Sequence, residues 1–398
     1  MLTSFALGVW LFQRTGSLFD FCAMVLCASV PALMLAPWTE RLAGRADQRA
    51  VLIGCELAGA LCVAALAALT WHDALAPWHL YLAQLVLSVG MAFQAPAAHA
   101  AILSVVPYRQ FGRASALFAA SGALTQLAAP LLAAVLLVNG GLGTVLGLDL
   151  LSFAVVLLAL MLARLPALRQ RAPRDGAAGL ADGIGFLIKH RTLAMVYCNV
   201  SIGGLLAATL IVLLTPLVLA GHSVLTLALV NSAGALGALL SGVLMLLWGG
   251  PRRWTPLLLG LNVMNGLALA LAGLATSVPL LCLCAFLVMF GSSTLSASVQ
   301  QLWQRQVPPA RQGGFAAMQM AVALALVPLI AALAAGASPG PGVVADATGP
   351  DSAAWLDAGR RGVPFLFFVV GIVSAAASLL AMTSRRLHQL ETELPNAV

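Results

Sequence analysis

Charge is what this chain lacks most. Only 8% of its 398 residues are Asp, Glu, Lys or Arg, against about 25% in a soluble domain, so water is not the solvent for most of its surface. Lysine is nearly missing. Lys189 is the single one, and the run Gly183-Ile184-Gly185-Phe186-Leu187-Ile188-Lys189-His190 does not fit the spacing of a phosphate-binding loop. ATP hydrolysis is therefore excluded. The chain also has no His-Glu-x-x-His, no Gly-x-Ser-x-Gly and no cysteine-pair metal motif, so neither an enzyme nor a bound metal or cofactor is expected. Cysteine is absent from every outward-facing gap. Cys22, Cys27, Cys55, Cys62, Cys198, Cys282 and Cys284 all fall in apolar stretches, which excludes a disulfide framework and suits small buried hydrophobes. No basic n-region or small-residue cleavage site marks a signal peptide.

Apolar sequence is what remains: 61% hydrophobic residues and a mean hydropathy of +1.00. A bilayer-spanning helix needs about 20 such residues. Eleven stretches qualify, at 17–38, 50–71, 78–105, 113–138, 142–164, 193–220, 224–249, 254–276, 279–303, 313–336 and 363–383. Residues 1–13 are apolar too, but at ~1.5 Å per residue they reach only about 20 Å. The arginines orient the spans. Of 20 Lys and Arg residues, 17 lie in alternate gaps or in the C-terminal tail, and the other gaps hold only Arg14, Arg360 and Arg361. That is the positive-inside pattern of a multi-pass protein with a cytoplasmic C-terminus. The net charge of +7 then reports topology, with anionic lipid headgroups as the counter-charge and no nucleic-acid partner. With the C-terminus inside, eleven complete spans leave Met1 in mid-bilayer with unsatisfied backbone. The expectation is twelve spans, the first truncated at its N-terminus.

The predicted organisation is all-α: a six-helix bundle over 1–164, a cytoplasmic loop with an interfacial helix over 165–191, a second six-helix bundle over 192–383, and a cytoplasmic tail over 384–398. The gap 337–362, rich in Gly and Pro with Asp346, Asp351 and Asp357, is expected as an external loop. The two halves repeat. Val106-Pro107 ends one span, Arg113 follows, and Pro130 comes 17 residues later; Val307-Pro308, Arg311 and Pro328 reproduce the pattern about 200 residues on. Equal orientation of the copies is the parallel repeat found in the major facilitator fold.

The residues Phe5–Ser17 (FALGVWLFQRTGS), Ala92–Leu103 (AFQAPAAHAAIL), Gly112–Leu117 (GRASAL), Leu214–Leu219 (LTPLVL), Trp248–Arg253 (WGGPRR), Gln301–Pro309 (QLWQRQVPP) and Arg386–Ala397 (RLHQLETELPNA) carry a resemblance. In this order the chain resembles bacterial major facilitator superfamily exporters of the macrolide-efflux type, in the drug:proton antiporter branch. The resemblance implies a proton-driven, inner-membrane exporter of macrolides, siderophores or peptide natural products, associated with antibiotic resistance and functional as a monomer. Two motifs depart from the family pattern. In Glu40-Arg41-Leu42-Ala43-Gly44-Arg45-Ala46-Asp47-Gln48-Arg49 the glycine position holds Glu40 and the main aspartate position holds Gly44, while Arg45, Asp47 and Arg49 remain. The span-five antiporter motif reads Ala129-Pro130-Leu131-Leu132-Ala133-Ala134, with alanines for glycines and the bending proline kept.

Ionisable groups inside a bilayer are costly and mark function by default. Two of the 13 carboxylates lie well inside spans. Asp149, about seven residues into span six and so ~10 Å deep, is the candidate for proton coupling; the plain alternative is a carboxylate bonded to a neighbouring helix. Glu56 sits near the cytoplasmic end of its span, where Arg45 or Arg113 is the expected partner. Arg45, Asp47, Arg49, Glu56 and Arg113 form the expected cytoplasmic gate. Gln94, His99, Gln126, Asn199, Asn231, Asn262, Asn265, Gln300, Gln301, Gln304 and Gln319 read either as a sparse polar cavity lining for an amphipathic solute or as interhelical hydrogen bonds. Pro130 and Pro328 are candidate hinges. A facilitator or importer, a lipid-handling relative and a non-transporting sensor are the alternatives. The small residues Gly234, Gly237, Ala238, Ser241 and Gly242 predict a close helix contact.

Overall fold

The structure, a computed structural model, describes residues 1–43, 47–105, 111–162, 185, 191–248, 254–275, 277–306, 312–336 and 351–383. Among the described residues it is all helix, in the order α1 (Leu2–Thr15), α2 (Leu18–Ala43), α3 (Gln48–Trp71), α4 (Pro77–Val105), α5 (Phe111–Leu162), α6 (Arg191–Leu219), α7 (Val224–Trp248), α8 (Trp254–Leu274), α9 (Val278–Gln306), α10 (Gln312–Gly336) and α11 (Asp351–Thr383). Helices are what apolar runs of this length must form in lipid, because a helix satisfies its own backbone hydrogen bonds. Eight helices among the described residues are long and apolar enough to cross a membrane.

Helix α5 has 52 residues, or about 78 Å of straight helix, more than twice the ~30 Å hydrocarbon core. It is two arms. Gly141 breaks it with φ 73 and ψ −172, a backbone region reserved for glycine, and the chain reverses there between the predicted spans 113–138 and 142–164. The α1–α2 turn is equally local. Gly16 ends α1 in the left-handed conformation at φ 62 and ψ 2, its N–H returning to the Phe12 carbonyl, and the Ser17 hydroxyl accepts from the Asp20 N–H at 3.2 Å to open α2. Arg14 lies over the Trp10 ring at 5.4 Å, and Trp71 and Trp78 are exposed at the facing ends of α3 and α4, where an interfacial aromatic belt would put them.

The structure divides into two compact units: Met1–Asp175 with Ala331–Thr348, and Gly176–Ile330 with Gly349–Val398. In the first, Ala6, Leu7 and Leu11 of α1 pack with Phe21, Met24, Val63, Leu66, Leu80, Ala83, Leu142, Val145 and Leu146. In the second, small residues bring backbones together. A Cβ on Gly237 of α7 would strike the Phe286 carbonyl of α9, and beside it the Ser241 and Thr294 hydroxyls meet at 2.8 Å. A Cβ on Gly266 of α8 would fall 2.7 Å from the Gly371 carbonyl of α11. Lipid tails supply no hydrophobic drive between helices, so such close approach and the hydroxyl bond carry the association. The predicted contact at Gly234, Gly237 and Ser241 is therefore the α7–α9 seam; Gly242 is exposed and stands outside it.

One boundary differs from expectation. Helix α11 begins at Asp351, inside the stretch 337–362 expected as external loop; hydropathy misses this first part because it carries Asp351, Asp357, Arg360 and Arg361. The expected interfacial helix of the central loop lies outside the described residues apart from Gly185, as does the tail 384–398.

Gly141→Ala is expected to cost about 1–3 kcal/mol of backbone strain and to lower the melting temperature of the detergent-solubilised protein. Gly143→Ala, where an added Cβ meets nothing within 4 Å, leaves it unchanged.

Candidate functional site

The carboxyl groups of the first unit have partners of a particular kind. Asp149 is half-buried in the second arm of α5. Its Oδ2 accepts a hydrogen bond from the Thr3 hydroxyl of α1. The Ser152 hydroxyl donates to the Asp149 carbonyl at 2.7 Å and lies 3.4 Å from Oδ1. Glu56 is buried in α3 at 6% exposure, and its Oε1 accepts from the Gln94 side-chain amide of α4. The sequence suggested Arg45 or Arg113 as its partner; the partner found is neutral, and the Arg45 and Arg113 side chains lie outside what is described. Neither carboxylate is paired with a cation among the described residues. Asp20, at the start of α2, accepts from the Tyr81 hydroxyl of α4 at 2.9 Å.

Two expected gate residues have identifiable structural tasks. Asp47 is exposed and caps α3, accepting from the Arg49 N–H at 3.0 Å. Arg49 reaches across to the last turn of α5, its Nη2 donating to the Met161 carbonyl at 2.8 Å. A charged donor makes a strong hydrogen bond to a backbone carbonyl, so Arg49 ties the start of α3 to the second arm of α5.

In the second unit, amides and hydroxyls join three helices. Asn262 and Asn265 of α8 share a face, as their spacing predicts, and both are 0% exposed. The Asn262 Nδ2 donates to the Asn199 carbonyl at 2.6 Å and to its Oδ1 at 2.8 Å. Asn265 meets the Ser292 hydroxyl of α9 at 3.2 Å, and that hydroxyl donates to the Gly203 carbonyl of α6 at 3.1 Å. Gly203 is required by the approach, since a Cβ there would lie 2.9 Å from the Asn262 Oδ1. Of the two readings of Asn199, Asn262 and Asn265, these contacts are those of interhelical hydrogen bonding: all three are buried between helices, where an amide in an apolar core needs a partner from the neighbouring helix.

The remaining polar candidates scatter. Asn231 is half-buried and donates to the Leu227 carbonyl of its own helix at 3.1 Å. Gln126 is exposed and Gln319 half-buried. The side chains of His99, Gln301 and Gln304 lie outside what is described. Pro130 is half-buried in the first arm of α5, flanked by the buried Ala129, Ala133 and Ala134, and Pro328 is buried in α10. The Asn199–Asn262 bond, the Ser292 link and the Arg49 tie were not foreseen in the sequence. Their partners are distant in the chain, and three of the acceptors, on Asn199, Gly203 and Met161, are backbone carbonyls that carry no residue signature.

Comparison with known proteins places this arrangement. The Major Facilitator Superfamily model matches residues 1–332. Macrolide efflux protein A of Streptococcus pyogenes is 23% identical over 285 residues, covering 68% of each chain. Macrolide efflux protein A of Enterococcus faecalis is 23% identical over 268 residues, covering 63% of this chain and 80% of that protein. Among solved structures, a bacterial homologue of the human lysosomal transporter Spinster, inward-facing and unoccupied, superposes with a TM-score of 0.71 at 16% identity over 96% of this chain and 94% of that one. The nucleoside transporter NupG gives a TM-score of 0.66 at 15% identity, covering 96% and 97%.

Asn262→Leu removes an interhelical amide and is expected to destabilise the detergent-solubilised protein by about 0.6–1.7 kcal/mol. Asn231→Leu, which breaks only a bond within its own helix, should change stability by clearly less. Reversible unfolding of the two variants side by side checks the order.

Proposed function

Because the chain belongs to the Major Facilitator Superfamily, we propose that this transporter is a secondary active exporter of an amphipathic small molecule, a macrolide-like drug, siderophore or peptide natural product, driven by proton entry. The similarity to macrolide efflux protein A, 23% identity over 285 residues, carries the direction and the solute class. The solute and membrane lipids are its partners, and no nucleic acid is among them. The protein works as a monomer in the bacterial inner membrane with its C-terminus in the cytoplasm, as the arginine pattern supports.

In this reading the two bundles rock to expose a midplane site alternately to each side. Coupling rests on Asp149. Its carboxyl group lies in a membrane helix and is held by the Thr3 and Ser152 hydroxyls. A carboxylate held by hydroxyls can take a proton and keep hydrogen bonds in both states, since a protonated carboxyl retains an acceptor and gains a donor. One proton crossing ~100 mV yields about 2.3 kcal/mol, enough for roughly a fifty-fold solute gradient. The proton gradient is the only energy source and no cofactor takes part. The cytoplasmic gate is formed by Arg45, Asp47, Arg49 and Arg113, with Arg49 anchored on α5. Gln94, His99, Gln126, Gln301 and Gln319 are the polar side chains for the solute, and Pro130 and Pro328 the hinges.

Cells expressing the protein should accumulate less of at least one compound from a panel of macrolides and amphipathic dyes. A protonophore should abolish the difference, and Asp149→Asn should lose it at equal expression. Reduced accumulation that survives the protonophore would contradict proton drive. Reduced accumulation that survives Asp149→Asn alone would remove this residue from the coupling.

A further inference from the structure

The two intramembrane carboxyl groups do not sit in separate places. Helix α3 runs antiparallel to the second arm of α5, and two contacts set the register: a Cβ on Gly59 would lie 2.8 Å from the Phe153 ring, and Arg49 bonds the Met161 carbonyl. On that register Glu56 is level with residues about one and a half turns beyond Asp149, so the two carboxyl groups are separated by roughly 9 Å along the helix axes. Gly59 is one turn from Glu56 and Phe153 one turn from Asp149, so both carboxyl groups stand on the helix faces that meet. Among the described residues, the groups facing Glu56 are the neutral Gln94 amide from α4, Asp149 from α5, and the Cys55 thiol next to it on α3. No described cation intervenes.

We propose that Glu56 is a second proton-binding station coupled to Asp149, so that the pair holds one proton between them. This rests on the reading of Asp149 as the coupling residue and deepens it. Glu56 becomes a proton carrier instead of the gate partner the sequence suggested. The stoichiometry balances. With the proton on Asp149, Glu56 is the carboxylate accepting from Gln94. With the proton on Glu56, Asp149 is the carboxylate accepting from Thr3. The pair carries one negative charge in both states, so moving the proton between stations needs no counter-ion. Two like charges at this distance in a low-dielectric helix core oppose double ionisation, while the Gln94 amide and the Thr3 hydroxyl each favour whichever carboxyl is ionised, so each station can hold the charge in turn. The geometry also orders the stations. Asp149 lies about 12 Å along α5 from the break at Gly141, and Glu56 about 12 Å along α3 from its start at Gln48, so one station is nearer each membrane face.

The test titrates the carboxyl infrared signals of the purified full-length protein in liposomes, with Glu56→Gln, Asp149→Asn and the double variant. Both single substitutions preserve an acceptor for the neighbouring donor. Each is expected to remove one carboxyl signal and to change the proton affinity of the other group about tenfold, the size of a unit-charge interaction at this separation in protein. The double variant should remove both signals. Loss of one signal with the other's titration unmoved would overturn the coupling, and a Glu56→Gln spectrum identical to the parent would overturn Glu56 as a station. If Glu56→Gln does not fold, Gln94→Leu serves, since it keeps both carboxyl groups; it should shift the Glu56 signal, and an unmoved signal overturns the proposal. No substrate is needed. An uncoupled pair would leave proton-driven export standing, whereas a coupled pair in a protein whose export ignores a protonophore would remove the proton from transport.

Discussion

Nothing in the hydrocarbon core of a bilayer can give or take a hydrogen bond, and the architecture follows from that single deprivation. Every backbone amide must be satisfied within its own helix, and polar side chains turn to a carbonyl of their own helix or to a partner on a neighbouring one. The Asn262 amide N–H groups close onto α6, and Asn265 meets the Ser292 hydroxyl of α9. Arg49 of α3 donates to a backbone carbonyl of α5. Even the break that turns α5 into two arms falls on a glycine, where the backbone can leave the helix in a conformation denied to other residues. A soluble protein could leave such groups to water.

Against that background the two units use polarity differently. The described part of the second unit holds its membrane helices together with uncharged groups: amides, hydroxyls and glycines that let backbones touch. These interactions keep their form whatever the protonation state, which suits a rigid body. The first unit holds the membrane carboxylates, Glu56 and Asp149, with hydroxyl and amide partners that tolerate both charge states. A proton arriving there changes the hydrogen bonding and the charge at once. That difference is the physical basis for assigning coupling to the first unit.

Much of the fold was legible in the sequence because its signals are long and redundant. An apolar run of 20 residues and an arginine in every second gap survive any uncertainty about single positions, and the helix ends lie within a few residues of the expected spans except at α11. There, two aspartates and two arginines hid a helical start from hydropathy. The candidate sites were legible as residues but not as pairs. Asp149 and Glu56 stood out because charge is rare in these spans. Thr3 and Gln94 as their partners depend on helix register, which one sequence does not encode in any local pattern. For the same reason Asn199, Asn262 and Asn265 could be read from the sequence either as cavity lining or as interhelical hydrogen bonds: an asparagine in a span suits solute or helix, and the partner depends on packing.

Proposed transport by this protein exchanges a proton for a solute, with the first unit as the place of exchange. The direct measurement uses inverted membrane vesicles carrying the protein, acidified inside by respiration and followed with a pH-quenched acridine dye. Adding a compound whose cellular accumulation the protein lowers should restore fluorescence as protons leave the vesicle in exchange for solute, and Asp149→Asn vesicles should show no such recovery. Solute uptake into these vesicles without any recovery of fluorescence would contradict proton exchange, and equal recovery with the variant would contradict its location.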